Sequence, residues 1–227
     1  YTHKFKKVFY YFHIVFLINS TNSFWLCIST FISNEFYNGQ LIASPDAAGR
    51  MLKIDINSDH PVFDIINPKM PLTLVNVSST LSSLSPRTSL KEAEMVLKIL
   101  TALFELDVKP DEIGIIAPFR AQVAEIRRRI ENNLSNYFED QIEIKRIVDT
   151  VDRFQGDERD IIIFSLTLQD KEIPSILEDV RRLNVAISRS RRKFIGIGDW
   201  DKIDKLDTLV NLVEHVKSTS DANLISV

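Results

Sequence analysis

The chain has 227 residues, 44% of them hydrophobic and 26% charged, with a formal net charge of −3 at pH 7. That composition can bury a proper core, which excludes global disorder; the slight acidity excludes an overall basic field, so any polyanion must be met by a local patch. Cys27 is the single cysteine, which excludes an intrachain disulfide and fits a reducing compartment, and the four scattered histidines offer no metal-ligand spacing.

Residues 1–30 read differently from the rest. Lys4, Lys6 and Lys7 precede an aromatic and aliphatic run, Val8 to Ile18, that is broken by His13 and followed by no small-residue cleavage site. The run is too short to span a bilayer as a helix. These residues are therefore expected to be a divergent aromatic-rich leader with no targeting role, and no membrane partner is expected. Asn19-Ser20-Thr21 has the form of a glycosylation sequon, a triplet that also arises by chance.

Ile32 to Leu41 reads as the end of a helix closed by Gly39. Residues 43–71 carry Pro45, Pro61, Pro68 and Pro71 and are loop-like, as are the Ser-rich residues 78–88. Between them Leu72 to Val77 has the length of a buried strand. Ser89-Leu90-Lys91-Glu92 predicts a capping box, with Glu92 reaching back to the Ser89 amide, and apolar residues from Leu90 to Phe104 then recur at helical spacing. Ile113 to Ala117 is a second strand, stopped by Pro118. Val123, Ile126, Ile130 and Leu134 mark the next helix, with Arg127, Arg128 and Arg129 read as its solvated face. Ile142 to Asp149 is read as a third strand, Ile161 to Leu166 as a fourth covered on both faces, and Phe194 to Gly198 as a fifth. A last helix is expected over residues 202–217.

The densest basic stretch lies between the fourth and fifth strands. Arg181, Arg182, Arg189, Arg191, Arg192 and Lys193 surround an apolar patch of Leu183, Val185, Ala186 and Ile187, with no acid until Asp199. It reads as a basic helix delivering guanidinium groups to an anion, since planar, permanently charged arginine suits phosphate oxygens; a solvated basic face is the alternative. Strands alternating with helices predict an α/β fold, a mainly parallel sheet with helices on both faces. In such sheets ligands sit at the carboxyl ends of the strands, where Pro118 to Arg120, Asp149 to Glu158 and Asp199 are expected.

Three blocks carry a family resemblance. Ile113 to Gln122 (IGIIAPFRAQ), Val148 to Asp160 (VDTVDRFQGDERD) and Arg181 to Arg191 (RRLNVAISRSR) resemble, in this order, motifs IV, V and VI of the second motor domain of superfamily 1 helicases. The nearest branch is the one that holds the nonsense-mediated-decay RNA helicase, senataxin and the flap-processing nuclease-helicase. The resemblance covers residues 31–227 and implies a single RecA-like domain of the P-loop NTPase type. It implies that Arg189 is an arginine finger reaching the γ-phosphate of ATP, that Glu158, on the Gly156 turn, contacts the ribose or the catalytic water network, and that Gln155 couples this site to nucleic acid. Gly156, Glu158, Arg189 and Arg192 would bind nucleotide, while Thr150, Pro118, Arg120 and Gln122 would line the path of single-stranded DNA or RNA. Gln155 and Asn184 have an alternative reading as loop-fixing hydrogen bonders, and Asp149 and Asp152 as turn residues.

Where the family pattern fails is as informative. The chain holds no G-x-x-x-x-G-K-[ST] and no acidic pair that replaces the magnesium-binding motif. Both belong to the family's first motor domain, so ATP and Mg2+ are expected to be bound jointly with such a domain as partner, with no metal ligands supplied here. At the position of the family's QYRMHP-like block the chain reads Thr21 to Leu26, with Ser23 in the place of the arginine. The expectation is therefore the C-terminal half of an intracellular motor, preceded by unrelated sequence and inactive alone. The alternatives are a non-catalytic nucleic-acid-binding or partner-docking module and a membrane-anchored interaction protein using Val8 to Ile18.

Overall fold

The computed structural model describes residues 26–41, 51–78, 87–154, 157–168 and 179–227. The leader up to residue 25, most of the Ser-rich loop, Gln155 and Gly156 lie outside the described residues. Six strands form one parallel sheet: β1 (Leu72–Asn76), β2 (Ile113–Ala117), β3 (Val148–Thr150), β4 (Arg159–Ser165), β5 (Ser190–Gly198) and β6 (Ala222–Ser226), in the order β3-β2-β4-β5-β1-β6.

The near-continuous apolar runs follow from burial on both faces. Alternate residues of each strand join opposite cores. Ile113, Ile115, Ile161, Ile163, Ile195 and Ile197 face one way, toward α3 (Leu90–Glu105), α4 (Arg120–Asn133) and α5 (Gln141–Ile147). Leu72, Leu74, Ile116, Ile162, Phe164 and Phe194 face the other, toward α1 (Leu26–Tyr37), α6 (Val180–Ser188) and α7 (Asp207–Ser218). One short helix, α2 (Phe63–Ile66), precedes β1. The α/β class with helices on both faces thus holds, and the arrangement is RecA-like. Among the described residues no helix is long and apolar enough to cross a membrane.

Gly39 closes α1 as expected: it and Asn38 turn left-handed after the helix, with φ of 72° and 53°, and Gly39 N donates to Ser33 O at 2.9 Å. Several other elements depart from the sequence expectation. The capping box of α3 is half formed. Ser89 Oγ accepts from Glu92 N at 3.3 Å, but the Ser89 amide donates to Gln122 Oε1 at 2.8 Å instead of to Glu92. The expected third strand is mostly helix. Asp140 caps α5 by accepting from Glu143 N at 2.9 Å, and only Val148–Thr150 pairs with β2. Ile142, Ile144 and Ile147 fit either period; the helix buries Ile144 and Ile147 and leaves Ile142 57% exposed. The last helix begins at Asp207, after a 3-10 turn at Trp200–Lys202, and β6 beyond it adds an unexpected strand beside β1.

Two basic residues are structural instead of solvated. Arg127 Nε donates to Val148 O at 3.1 Å and its guanidinium pairs with Asp149 at 3.4 Å, so α4 clamps the edge strand. Lys193 is 1% exposed and its ammonium donates to Asn67 O, Met70 O and Thr73 Oγ1, which removes it from the surface basic patch.

Candidate functional site

The motif-bearing side chains fall at two edges of the sheet. The first is the amino edge of β4 and β5. Asp179 caps α6, accepting from Arg181 N at 3.1 Å, and the helix runs for nine residues before Arg189 closes it. Arg189 O then accepts from Arg159 N at 3.0 Å, which places the end of α6 beside the start of β4. The Arg189 side chain is 6% exposed and folds back, its Nε donating to Val185 O at 3.3 Å and its NH2 group to Ser188 Oγ at 3.5 Å. Burial lowers its pKa, and the charges of Glu158 and Asp157 oppose that shift. Among the described residues no carboxylate lies within 4.0 Å of this guanidinium, so its charge is offset at a distance.

The neighbouring arginines are engaged. Pairing of β4 with β5 slips between Arg159↔Ser190 and Ile161↔Lys193, so Arg191 and Arg192 together oppose Asp160. Both use it: Arg192 at 3.2 Å and Arg191 at 3.8 Å, with Arg191 also meeting Glu158 at 3.4 Å. Among the described residues Arg192 Nε, which is buried, has no hydrogen-bond partner. Arg182 pairs with Asp152 at 3.0 Å, which ties α6 to the crossover leaving β3. Asn184, on the same helix, donates to the Tyr37 hydroxyl at 3.1 Å. Arg189, Glu158 and Arg192 are thus brought together, at the amino ends of two central strands and not at the carboxyl ends where Glu158 was expected.

The second group lies at the carboxyl edge, about 20 Å away at some 3.3 Å per strand residue. Thr150 ends β3 opposite Ala117. Asp149 accepts from Thr150 N at 2.7 Å. Pro118 is buried, and Arg120 is exposed at the first position of α4. Gln122 is fully buried, donating to Ser89 O at 3.1 Å and Ser165 Oγ at 3.0 Å. Its amide is committed within the fold and does not reach a surface path.

Between the two groups, Val151 and Phe154 are buried in the second core. Sequence reasoning missed Asp160, whose role needs the bulge, and the buried Glu92 carboxylate, which had a local reading as a helix cap. Among the described residues no three His, Cys, Asp or Glu side chains cluster as metal ligands.

The comparisons agree with this geometry. The AAA domain family matches residues 26–201. Similar proteins include a "Regulator of nonsense transcripts 1 homolog" of Neurospora crassa, 33% identical over 198 residues that cover 84% of this chain and 17% of that protein. The "DNA polymerase alpha-associated DNA helicase A" of Saccharomyces cerevisiae is 31% identical over 78% of this chain and 26% of its own. "Helicase SEN1" of the same yeast is 29% identical over 85% of this chain and 9% of its own. The chain therefore spans about a quarter or less of the length of these relatives. Family match, parallel sheet and motif placement together make it a member of the AAA domain family, homologous to the superfamily 1 helicases.

Proposed function

We propose that the chain is the second motor domain of an ATP-dependent superfamily 1 helicase, and that Arg189 is its arginine finger. What supports this most is the state of Arg189: desolvated, aligned by the end of α6, and not neutralised by any carboxylate within 4.0 Å among the described residues. Turned out from Val185 O and Ser188 Oγ on closure of a cleft, a guanidinium in a dry site would stabilise charge that spreads onto a transferring phosphoryl group. The three arginines at this edge fit a phosphate chain, and Glu158 stands beside them for the nucleotide's hydroxyls or water. Arg191 and Arg192 would exchange their Asp160 and Glu158 partners for phosphate oxygens on closure.

ATP hydrolysis supplies the free energy that drives strand movement. The phosphate-binding loop and the magnesium ligands would come from a first motor domain, across a cleft that Arg189 helps to close. Arg120 and Thr150, at the other edge, would hold single-stranded DNA or RNA by its backbone, which carries no sequence information and suits a translocating motor. An intracellular location goes with that role.

Turnover of ATP is the test. The 227-residue chain alone is expected to show none, with or without single-stranded DNA or RNA. Joined to the first motor domain of a superfamily 1 relative, it should support nucleic-acid-stimulated turnover, and Arg189→Ala should reduce that by about 10³- to 10⁵-fold, as for arginine fingers elsewhere. Turnover in the joined enzyme that survives Arg189→Ala would overturn the assignment.

A further inference from the structure

Four buried polar residues form a closed knot at the carboxyl edge of the sheet. Glu92 sits in the first turn of α3, yet Ser89 caps that helix. The Glu92 carboxylate instead reaches to the end of β4, accepting from Ser165 Oγ at 2.7 Å and from Thr167 N at 2.8 Å. Ser165 Oγ accepts in turn from Gln122 Nε2 at 3.0 Å. Gln122 then closes the ring on both backbone groups of Ser89, at 2.8 and 3.1 Å. The starts of α3 and α4 and the exit from β4 are thereby tied into one unit, with every member buried.

A packing role alone does not account for a carboxyl group here. An apolar side chain of similar volume would fill the space but would leave the buried Thr167 amide without the acceptor that fixes it. The knot also holds Thr167 at a φ of 56°, a left-handed conformation uncommon for a β-branched residue. Such backbone persists only where its surroundings over-determine it, and it clusters at working sites. Gln122 stands two residues after Arg120, the exposed first residue of α4, and that first turn carries no acid and no side-chain cap.

We propose that Glu92 is a positioning residue for the anion-facing start of α4, setting through Ser165 and Gln122 where Arg120 and the first amides of that helix stand. The inference rests on reading this edge as the path of an anionic strand. The charged carboxylate makes the stronger hydrogen bonds, so the knot is tightest when Glu92 is ionised. Burial pushes the Glu92 carboxyl up to about 7, against the hydrogen bonds from Ser165, Thr167 and Ser89 and together with the nearby charge of Asp199. Asp199, at the exit of β5, is itself paired with Lys202 at 3.0 Å. Lys91 on α3 turns away, to Ser78 O at 3.0 Å. Positioning by Glu92 should therefore change across neutral pH.

The test is a pH titration of the 227-residue chain followed by its backbone amide resonances. The Thr167, Arg120 and Ala121 amides should shift together with a midpoint near pH 7, and none of them should do so in Glu92→Gln. In Ser165→Ala, which cuts the direct link to Gln122 and leaves only the one through Ser89, Thr167 should still titrate while the Arg120 and Ala121 shifts shrink. Arg120 and Ala121 amides that ignore pH in the parent chain, or still respond in Glu92→Gln, would overturn the proposal. A fluorescein-labelled single-stranded oligonucleotide added to the same samples should bind several-fold more tightly above pH 7 than below it, with a flat profile in Glu92→Gln. Binding with a flat profile in the parent chain would also overturn it. Amides that respond together while the oligonucleotide fails to bind at every pH would uphold the positioning role and remove the strand reading of this edge.

Discussion

Gly114 lies in the middle of β2 where the crossover from β3 passes over the sheet. A Cβ placed on it would stand 2.6 Å from Phe154 Cζ and 2.7 Å from Ile162 Cδ1. Both neighbours are buried in the second core and cannot swing clear. The glycine is therefore what lets Phe154 lie flat on the sheet, and Phe154 in turn carries the chain toward Glu158 and supports the Arg159 guanidinium 5.6 Å above its ring. Gly114→Ala is expected to destabilise the chain by about 1–3 kcal/mol, the usual cost of overpacking a filled core, measured by urea unfolding. An unchanged midpoint would mean that Phe154 is not anchored there. The reason is invisible in the sequence, where Gly114 is one more residue of an apolar strand, because the clash is with a side chain forty positions away.

At the scale of elements, most of what was legible came from long buried runs. β1, β2, β4 and the core of β5 stand where uniform apolar stretches placed them, since a parallel strand covered on both faces leaves little alternative. Short mixed segments misled. The six residues from Ile142 to Ile147 satisfy both periods, and only the Asp140 cap and the depth of the neighbouring core decide for helix. Asp140→Ala should cost about 1 kcal/mol, as loss of an N-cap generally does, whereas a strand there would lose nothing measurable in thermal unfolding. The arginine-rich stretch was legible as chemistry but not as geometry. Its residues divide among a helix, a helix end and a bulged strand, and Lys193 turns inward because alternation along β5 puts it opposite the Asn67–Met70 turn. Nor could spacing show that Arg189 and Glu158 meet at one edge while Thr150 and Arg120 share the other. That separation follows from where β3 ends, at Thr150, and β4 begins, at Arg159.

Over the whole molecule, two buried ionisable groups give stability opposite slopes with pH. Glu92 has its pKa raised from 4.5 to about 7, so the folded chain holds that proton more tightly than the unfolded one. Its contribution is complete below pH 4.5 and is lost as pH rises through about 7. Lys193 is the reverse case: burial lowers its pKa from 10.5 to about 7. The folded chain binds that proton less tightly, so the contribution is complete above pH 10.5 and is lost as pH falls through about 7. Each proton can tilt the stability curve by at most about 1.4 kcal/mol per pH unit. The two slopes meet near neutrality, so together they carve a minimum of stability there. Difference curves against single variants isolate each buried group. Parent minus Glu92→Gln should fall between pH 4.5 and 7 and then level off. Parent minus Lys193→Met should be level below pH 7 and rise above it. Equal slopes in parent and variant, from denaturant unfolding across that range, would mean that the buried group titrates as it does in water. The two side chains sit at opposite edges of the sheet, Lys193 near the arginine cluster and Glu92 near the start of α4, and share no hydrogen-bond partner. Their effects should therefore add in the double variant, leaving a profile governed by the surface alone.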